Sequence, residues 1–412
     1  MLPPARRLPA CPVLCFVLCV ACLVLPSTQS AQAQPSRFEL VYTPPAECDL
    51  QQPDLRSPQA VWPALFDSAQ AHIDIEQFYL TDGPALRPVI ASLRRATVRG
   101  VRLRVLVDAT LQENSQPLID ELRSFPNTQV RIIPFRRLLG GVVHNKMLLI
   151  DGRRAYVGSQ NFDWRSLSHI HELGLRIDDP RLSGQLQALF DVDWAMQATL
   201  ELGQPVPANS RERPQSTPAQ PTPDPDAYLV ASPPGYLPTG IGESEGELVR
   251  IIERAQRRLQ IQLLLYAPLD QPERSFYPPI DTALRAAAAR GVKIDLLVSD
   301  WNTRAPKIDW LKSLALVPSV QIKIVTLPPA RSGFIPYARV IHAKYMVVDE
   351  ALLWLGTSNW QGGYFDRSRN VEIVLKNPDL AGRAAAIHTQ LWLSRYAQPI
   401  DVTRRYIPPR VF

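Results

Sequence analysis

Apolar positions gather into short runs that return in a fixed order along the chain. IDIEQFYL (73–80) and VRLRVLVD (101–108) read as strands, and the Ala/Arg/Leu-rich stretch between them, ending in VRG, reads as a helix. Gly100 stands where that helix should stop. The order then repeats. LVYTPP (40–45) matches LVASPP (229–234), and AQAHIDIEQFYL (69–80) matches AQRRLQIQLLLY (255–266). LRRATVRGVRLRVLVD (93–108) matches LRAAAARGVKIDLLVSD (284–300), with Gly291 in the place of Gly100. HNKMLLIDGRRAYVGSQN (144–161) matches HAKYMVVDEALLWLGTSN (342–359). Four matches in register, with offsets drifting only between 186 and 198, indicate an internal duplication. Alternating strands and helices imply an α/β chain: two similar α-β-α sandwich halves related by a pseudo-twofold axis.

Composition sets the boundaries. The segment 204–226 carries seven prolines and no apolar periodicity, so it is expected to be an extended linker between a first half, 34–203, and a second half, 227–412. Residues 1–33 read as a secretory signal: Arg6 and Arg7, an apolar run over 11–26, and Ala31-Gln32-Ala33 as the cleavage site. A retained anchor and a lipid anchor at Cys22 are the competing readings; the run is short for a span, and Cys19 suits a lipoprotein signal poorly. Four of the five cysteines lie in this segment, which leaves Cys48 and no internal disulfide framework. Export without disulfides fits a bacterial periplasm or secretion. Removing the signal removes two arginines and no acids, so the net charge falls from +6 to +4, which suits an anionic partner.

The repeated motif carries the chemistry. Residues i and i+2 share a face of a strand, so His144 and Lys146 point together, as do His342 and Lys344. Asp151-Gly152 reads as a hairpin turn after the apolar run. The return strand then brings Ser159 and Asn161 back beside the first pair, and Thr357 and Asn359 back beside the second. Lysine and asparagine are fixed donors for the nonbridging oxygens of a phosphodiester. Two sets form a phosphate clamp that calls for no metal or other cofactor. One histidine can attack phosphorus, and the other can protonate the leaving oxygen and then activate water or an alcohol. A carboxylate on the far ring nitrogen is needed to hold the tautomer. Glu172, 28 residues after His144, and Glu372, 30 after His342, are the candidates. Asp151 and Asp349 are expected to hold the turns, and Ser159 and Thr357 to contact substrate.

HxK, four residues, Asp, six residues, then G-[ST]-x-N, present twice, resembles the signature of the phospholipase D superfamily. The resemblance runs across nearly all of 38–395. Within the superfamily, NFDWRSLSHIHELG, YPPIDTALRAAAARGVKIDLLVSDWN and IPYARVIHAKYMVVDEALLWLGTSNWQGGYF resemble the lysosomal phospholipase-D-like proteins and their poxvirus envelope relatives. The resemblance implies a two-sheet fold, a phosphohistidine intermediate, metal independence, and active-site roles for His144, Lys146, Asn161, His342, Lys344 and Asn359. The wider family includes lipid hydrolases, transphosphatidylases and nucleases. The leading expectation is therefore an exported phosphodiesterase on phospholipid, with peripheral membrane contact and no protein partner. The alternative is a 5′ exonuclease on single-stranded nucleic acid.

Other residues are weaker candidates. His169 and His171 are expected to be packing or helix-surface residues, since no third metal ligand is suitably spaced, and His72 and His388, which lack motif context, are expected to be structural. Trp164 and Trp360 follow the two asparagines and read as groove or core. Arg136, Arg137 and Arg339 precede the motifs and are candidates for phosphate groups of a longer substrate; a solvated face is the plainer reading.

Overall fold

The computed structural model describes residues 36–208, 225–270 and 275–412, with Met1 and Pro4. The signal expected over 1–33 and most of the proline-rich linker lie outside the described residues. Arg37–Phe412 forms one compact unit.

Within it, residues 38–177 build one sheet from strands β1 (Phe38–Thr43), β2 (His72–Gln77), β3 (Arg102–Asp108), β4 (Thr128–Ile133), β5 (Lys146–Ile150), β6 (Arg154–Gly158) and β7 (Glu172–Ile177). The second sheet uses β8 (Ala227–Ser232), β9 (Arg258–Leu263), β10 (Lys293–Ser299), β11 (Val320–Val325), β12 (Lys344–Val348), β13 (Leu352–Gly356) and β14 (Asn370–Lys376). The first sheet runs β1-β7-β6-β5-β2-β3-β4, and the second repeats it as β8-β14-β13-β12-β9-β10-β11, with short edge strands Gly242–Glu243 and Ala397–Pro399 added. In each sheet the β2–β3–β4 or β9–β10–β11 set is parallel; the other pairings are antiparallel, except that the edge strand Gly242–Glu243 runs parallel to β8. The duplication read from the sequence is thus a duplication of topology.

Helices α1 (Pro58–Asp67), α2 (Arg87–Val98) and α3 (Gln112–Arg123) cover the outer face of the first sheet, and α4 (Pro180–Glu201) lies on the inner face. Their counterparts are α5 (Ser244–Arg254), α6 (Pro279–Ala289), α7 (Lys307–Ala315) and α8 (Pro378–Leu393). The local signals agree with this. Asp179 caps α4 by accepting from the Leu182 N–H at 2.8 Å, and Asn377 caps α8 through Leu380 at 2.9 Å, each followed by a proline in the first turn. Gly100 and Gly291, both at positive φ, end α2 and α6.

Strand periodicity explains how the sheets join. In β5, Met147 and Leu149 enter a core shared by both halves, while Leu148 and Ile150 enter the outer core under α1 and α2. In β12, Tyr345 and Val347 enter the same shared core, while Met346 and Val348 face outward. The shared core also takes Leu186 and Phe190 of α4 and Ala384 and Ile387 of α8. The two sheets are therefore bonded through one apolar layer, and the amino ends of β5 and β12 come together at its rim.

Candidate active site

His144 and His342 each stand two residues before the amino end of an inner strand, with Lys146 and Lys344 opening β5 and β12. Each histidine is seated by the opposite half. The His144 N–H donates to the Arg369 carbonyl at 2.8 Å, and the His342 N–H donates to the His171 carbonyl at 2.9 Å. Val143–Arg369 and His171–Ile341 form the matching parallel bridges. Positions 171 and 369 are separated by 198 residues, the same offset that separates the two histidines. One site is thus assembled from both copies of the motif.

The ring partners are crossed as well, which corrects two expectations. Glu172 does not serve His144; its carboxylate meets Nδ1 of His342 at 2.9 and 3.0 Å. Glu372 reaches neither histidine, and its carboxylate accepts from the hydroxyls of Ser244 and Ser358. Asn370 takes the place expected for it, with Oδ1 3.1 Å from Nδ1 of His144. The amide is oriented by its neighbours: Thr357 Oγ1 donates to Asn370 Oδ1 at 2.9 Å, and Asn370 Nδ2 donates to the Tyr364 carbonyl at 2.8 Å. Strand register gives the reason. Thr43 lies opposite Glu172, and Ser232 lies opposite Asn370. Gly174 pairs with Gly158, and Glu372 pairs with Gly356, so Glu372 is the counterpart of Gly174, two residues along on the same face. The constant offset of 198 from Glu172 lands on Asn370, so the duplication itself marks this position, with an amide in place of the acid.

The two lysines are almost wholly enclosed. Lys146 donates to the His144 carbonyl at 2.5 Å and lies 5.6 Å from the Phe78 ring centre. Lys344 is 1% exposed, and its Nζ has no hydrogen-bond partner among the described residues. Burial lowers Lys344 to about 7, with Glu172 opposing the shift. Burial, then the neighbouring Lys344, holds Lys146 well below the usual lysine range. Burial also raises Glu172 to about 8, against the pull of Lys344. Both histidines are pushed well below the ordinary imidazole value, first by burial and then by the lysines. A buried, unpartnered ammonium is costly unless an anion completes it.

The remaining motif residues occupy distinct places. Asn161 donates through Nδ2 to the Tyr79 hydroxyl at 3.3 Å, and its Oδ1 is buried without a partner. Asn359 Oδ1 accepts from the Leu265 N–H at 3.3 Å. Ser159 and Thr357, expected to touch substrate, are fully buried behind the ring partners. Ser159 Oγ donates to the Leu173 carbonyl at 3.1 Å, and Thr357 bonds Asn370. They position β7 and β14. Asp151 and Asp349 turn the chain at positive φ and accept three backbone N–H groups each, from Gln70, Ala71 and His72 and from Gln256, Arg257 and Arg258. Two aromatic rings missed in the sequence flank His144: Phe78 at 5.4 Å and Tyr364 at 5.1 Å between centres. Trp360 packs edge-on against Trp354 in the core, and His171 packs against Tyr42.

A family model described as "Cardiolipin synthase, PLD-like domain" matches residues 64–194 and 248–392, most of both halves. The 5'-3' exonuclease PLD3 of Xenopus laevis is 32% identical over 373 residues, covering 82% of this chain and 75% of that protein. This chain belongs to the phospholipase D superfamily. A Caenorhabditis elegans protein named "Probable phospholipase D F09G2.8" is 30% identical over 373 residues, covering 82% of this chain and 66% of that one. The phosphatidylserine synthase of Haemophilus influenzae shares the fold, with a TM-score of 0.62, 9% identity, and coverage of 88% of this chain and 87% of that one. Membership supports a phosphodiesterase-type activity for this chain.

Proposed function

We propose that this protein is a phosphodiesterase that cleaves single-stranded nucleic acid from its 5′ end through a phosphohistidine. The observation that carries the chemistry is the crossed pair: two imidazoles from opposite halves, each held at Nδ1, beside two buried lysines. Holding Nδ1 leaves Nε2 of each ring for the reaction. The substrate class follows from the exonuclease relative at 32% identity and from the positive net charge, and it replaces phospholipid as the leading reading.

The unequal ring partners divide the roles. A histidine that bonds phosphorus through Nε2 while keeping Nδ1–H becomes cationic. Glu172 lies against Nδ1 of His342; a cationic ring beside it favours its ionised form, which offsets that charge, so His342 is the nucleophile. His144 donates its Nδ1–H to a neutral amide oxygen, which fixes the tautomer but does not stabilise the charged ring as a carboxylate would. The diester's own negative charge favours protonation of His144 when substrate binds. In the first step the His342 Nε2–P bond forms, the P–O bond to the leaving group breaks, and His144 gives that oxygen its proton. In the second step His144 takes a proton from water, whose oxygen displaces His342. Lys146, Lys344, Asn161 and Asn359 hold the nonbridging oxygens.

The deciding experiment is a panel assay of purified protein on 5′-hydroxyl single-stranded oligonucleotides and on phosphatidylcholine, phosphatidylethanolamine and phosphatidylglycerol vesicles. Stepwise release of nucleotides from the 5′ end, lost when that end is blocked, is expected. Headgroup release with intact oligonucleotides would return the assignment to phospholipid.

A further inference from the structure

Three arginines near the motifs stood as candidates for phosphate contact, and the structure separates them. Arg339 is consumed by the fold: it donates to the carbonyls of Pro328 and Ala46, at 2.6 Å each, and meets Cys48 Sγ at 3.3 Å. Arg137 donates to the carbonyls of Leu200 and Glu201 and closes the carboxyl end of α4. Arg136 is exposed, and among the described residues its side chain makes no hydrogen bond or ion pair.

Arg136 lines a cleft of about 530 Å³, with Asp108, Thr110, Pro134, Phe135 and Arg137. The cleft lies at the carboxyl ends of the parallel strands β3 and β4, where open α/β sheets tend to bind ligands. It shares a wall with the active site. Asp108 accepts from the Val143 N–H at 2.7 Å, and Val143 is the residue before His144. Asp108 is itself 1% exposed and also takes the Thr110 N–H at 2.8 Å, so its carboxylate is enclosed rather than offered to a ligand. In the second half, Ala397–Pro399 pairs along β11, and Arg339 donates to the Pro328 carbonyl beyond it. The two halves thus differ beside the site: Arg136 keeps its guanidinium exposed, with the charge of the enclosed Asp108 behind it, whereas Arg339 is spent on backbone carbonyls.

We infer that this cleft is a subsite for a second phosphate of the substrate strand, next to the scissile diester, with Arg136 as its cation and Pro134 as an apolar wall for the attached nucleoside. An exposed guanidinium that makes no hydrogen bond is suited to a phosphate, and a strand leaving the crossed histidines on the first-half side meets it. The inference rests on the nucleic-acid reading above.

The test compares Arg136→Ala and Arg136→Lys with wild type on a 5′-hydroxyl oligothymidylate and on bis(p-nitrophenyl) phosphate, a diester with no second phosphate. Arg136→Ala should lower kcat/KM for the oligonucleotide about 5- to 10-fold relative to the small diester, and Arg136→Lys should recover part of it. Between about 50 and about 200 mM salt, the slope of log KM against log salt should flatten by about 0.7, the share of one phosphate contact on a single strand. Arg153→Ala removes an exposed arginine at the turn between β5 and β6 and should change neither quantity. Normal oligonucleotide cleavage with an unchanged ratio and salt slope in Arg136→Ala overturns the subsite and leaves the nuclease reading standing. Turnover of the small diester with no oligonucleotide cleavage by wild type overturns both.

Discussion

Glu172 in the first half grips Nδ1 of His342 in the second at 2.9 Å, while Glu372, in the same half as His342, is turned away onto Ser244 and Ser358. The two carboxylates therefore separate by function. Glu172→Gln should lower kcat by about 10²- to 10³-fold, because the amide cannot offset a cationic phosphoimidazole. Glu372→Gln should leave kcat within about threefold, since no reacting group touches it. Steady-state kinetics on an oligonucleotide distinguish the two, and equal losses would mean that the ring partner is not what matters.

Asn370→Asp places a carboxylate on Nδ1 of His144 in the same geometry. The charged ring is then stabilised, so the His144 pKa rises and His144 becomes a weaker acid. The basic limb of the pH–kcat profile, which requires His144 protonated, should move to higher pH, with a lower plateau. An unmoved limb would assign that titration to another group.

Lys344 titrates near 7 in the substrate-free site because burial disfavours its charge. A bound diester restores that charge, so binding above this value takes up a proton. KM should rise with pH above about 7, approaching tenfold per pH unit. Titration calorimetry in buffers of different ionisation enthalpy should show the proton uptake directly, and its absence near pH 8 would contradict the buried-cation picture.

Glu172 has the opposite sign to an ordinary paired acid. Its folded-state value, about 8, lies above the 4.5 of an unperturbed glutamate. The folded chain thus holds an extra proton between those values, and stability present below pH 4.5 is lost as pH rises through 8. Lys344 is depressed, so its contribution is present above pH 10.5 and lost as pH falls through 7. Of these two groups only Glu172 contributes a slope from pH 5 to 7, and the other shifted groups are common to both proteins, so the wild-type Tm should fall relative to that of Glu172→Gln as pH rises. Thermal melts across that range check it, and parallel slopes would count against the assignment.

Asp193 of α4 forms a two-pronged pair with Arg369 at 2.8 Å, both side chains fully buried, and the Arg369 carbonyl seats His144. Asp193→Asn leaves a buried guanidinium without its counterion and should destabilise the fold by about 3 kcal/mol. Denaturant unfolding measures this. A loss under about 1 kcal/mol would mean that the pair is not a strut of the site.

Much of this architecture was legible in the sequence because it follows from local periodicity. The buried runs MLLI and YMVV, the helix-ending Gly100 and Gly291, and the two turns at Asp151 and Asp349 each depend on neighbours a few residues away. The duplication then supplied the long-range fact that both motifs build one kind of sheet. Three things were hidden. The crossing of Glu172 to His342 depends on how the halves pack, which strand patterns within one half do not encode. Asn370 was hidden by chemistry, because an amide was not sought where an acid was expected, although its offset of 198 was on view. Ser159 and Thr357 were assigned to substrate from sequence spacing, yet their hydroxyls point back into β7 and β14.

The most direct test of the central claim is to quench a reaction on a single-stranded oligonucleotide and map the acid-labile adduct by mass spectrometry. Nucleotidyl phosphate on His342, retained in His144→Ala with a substrate whose leaving group needs no proton, is the expected result. An adduct on His144, or none on either histidine, would contradict the crossed-pair mechanism.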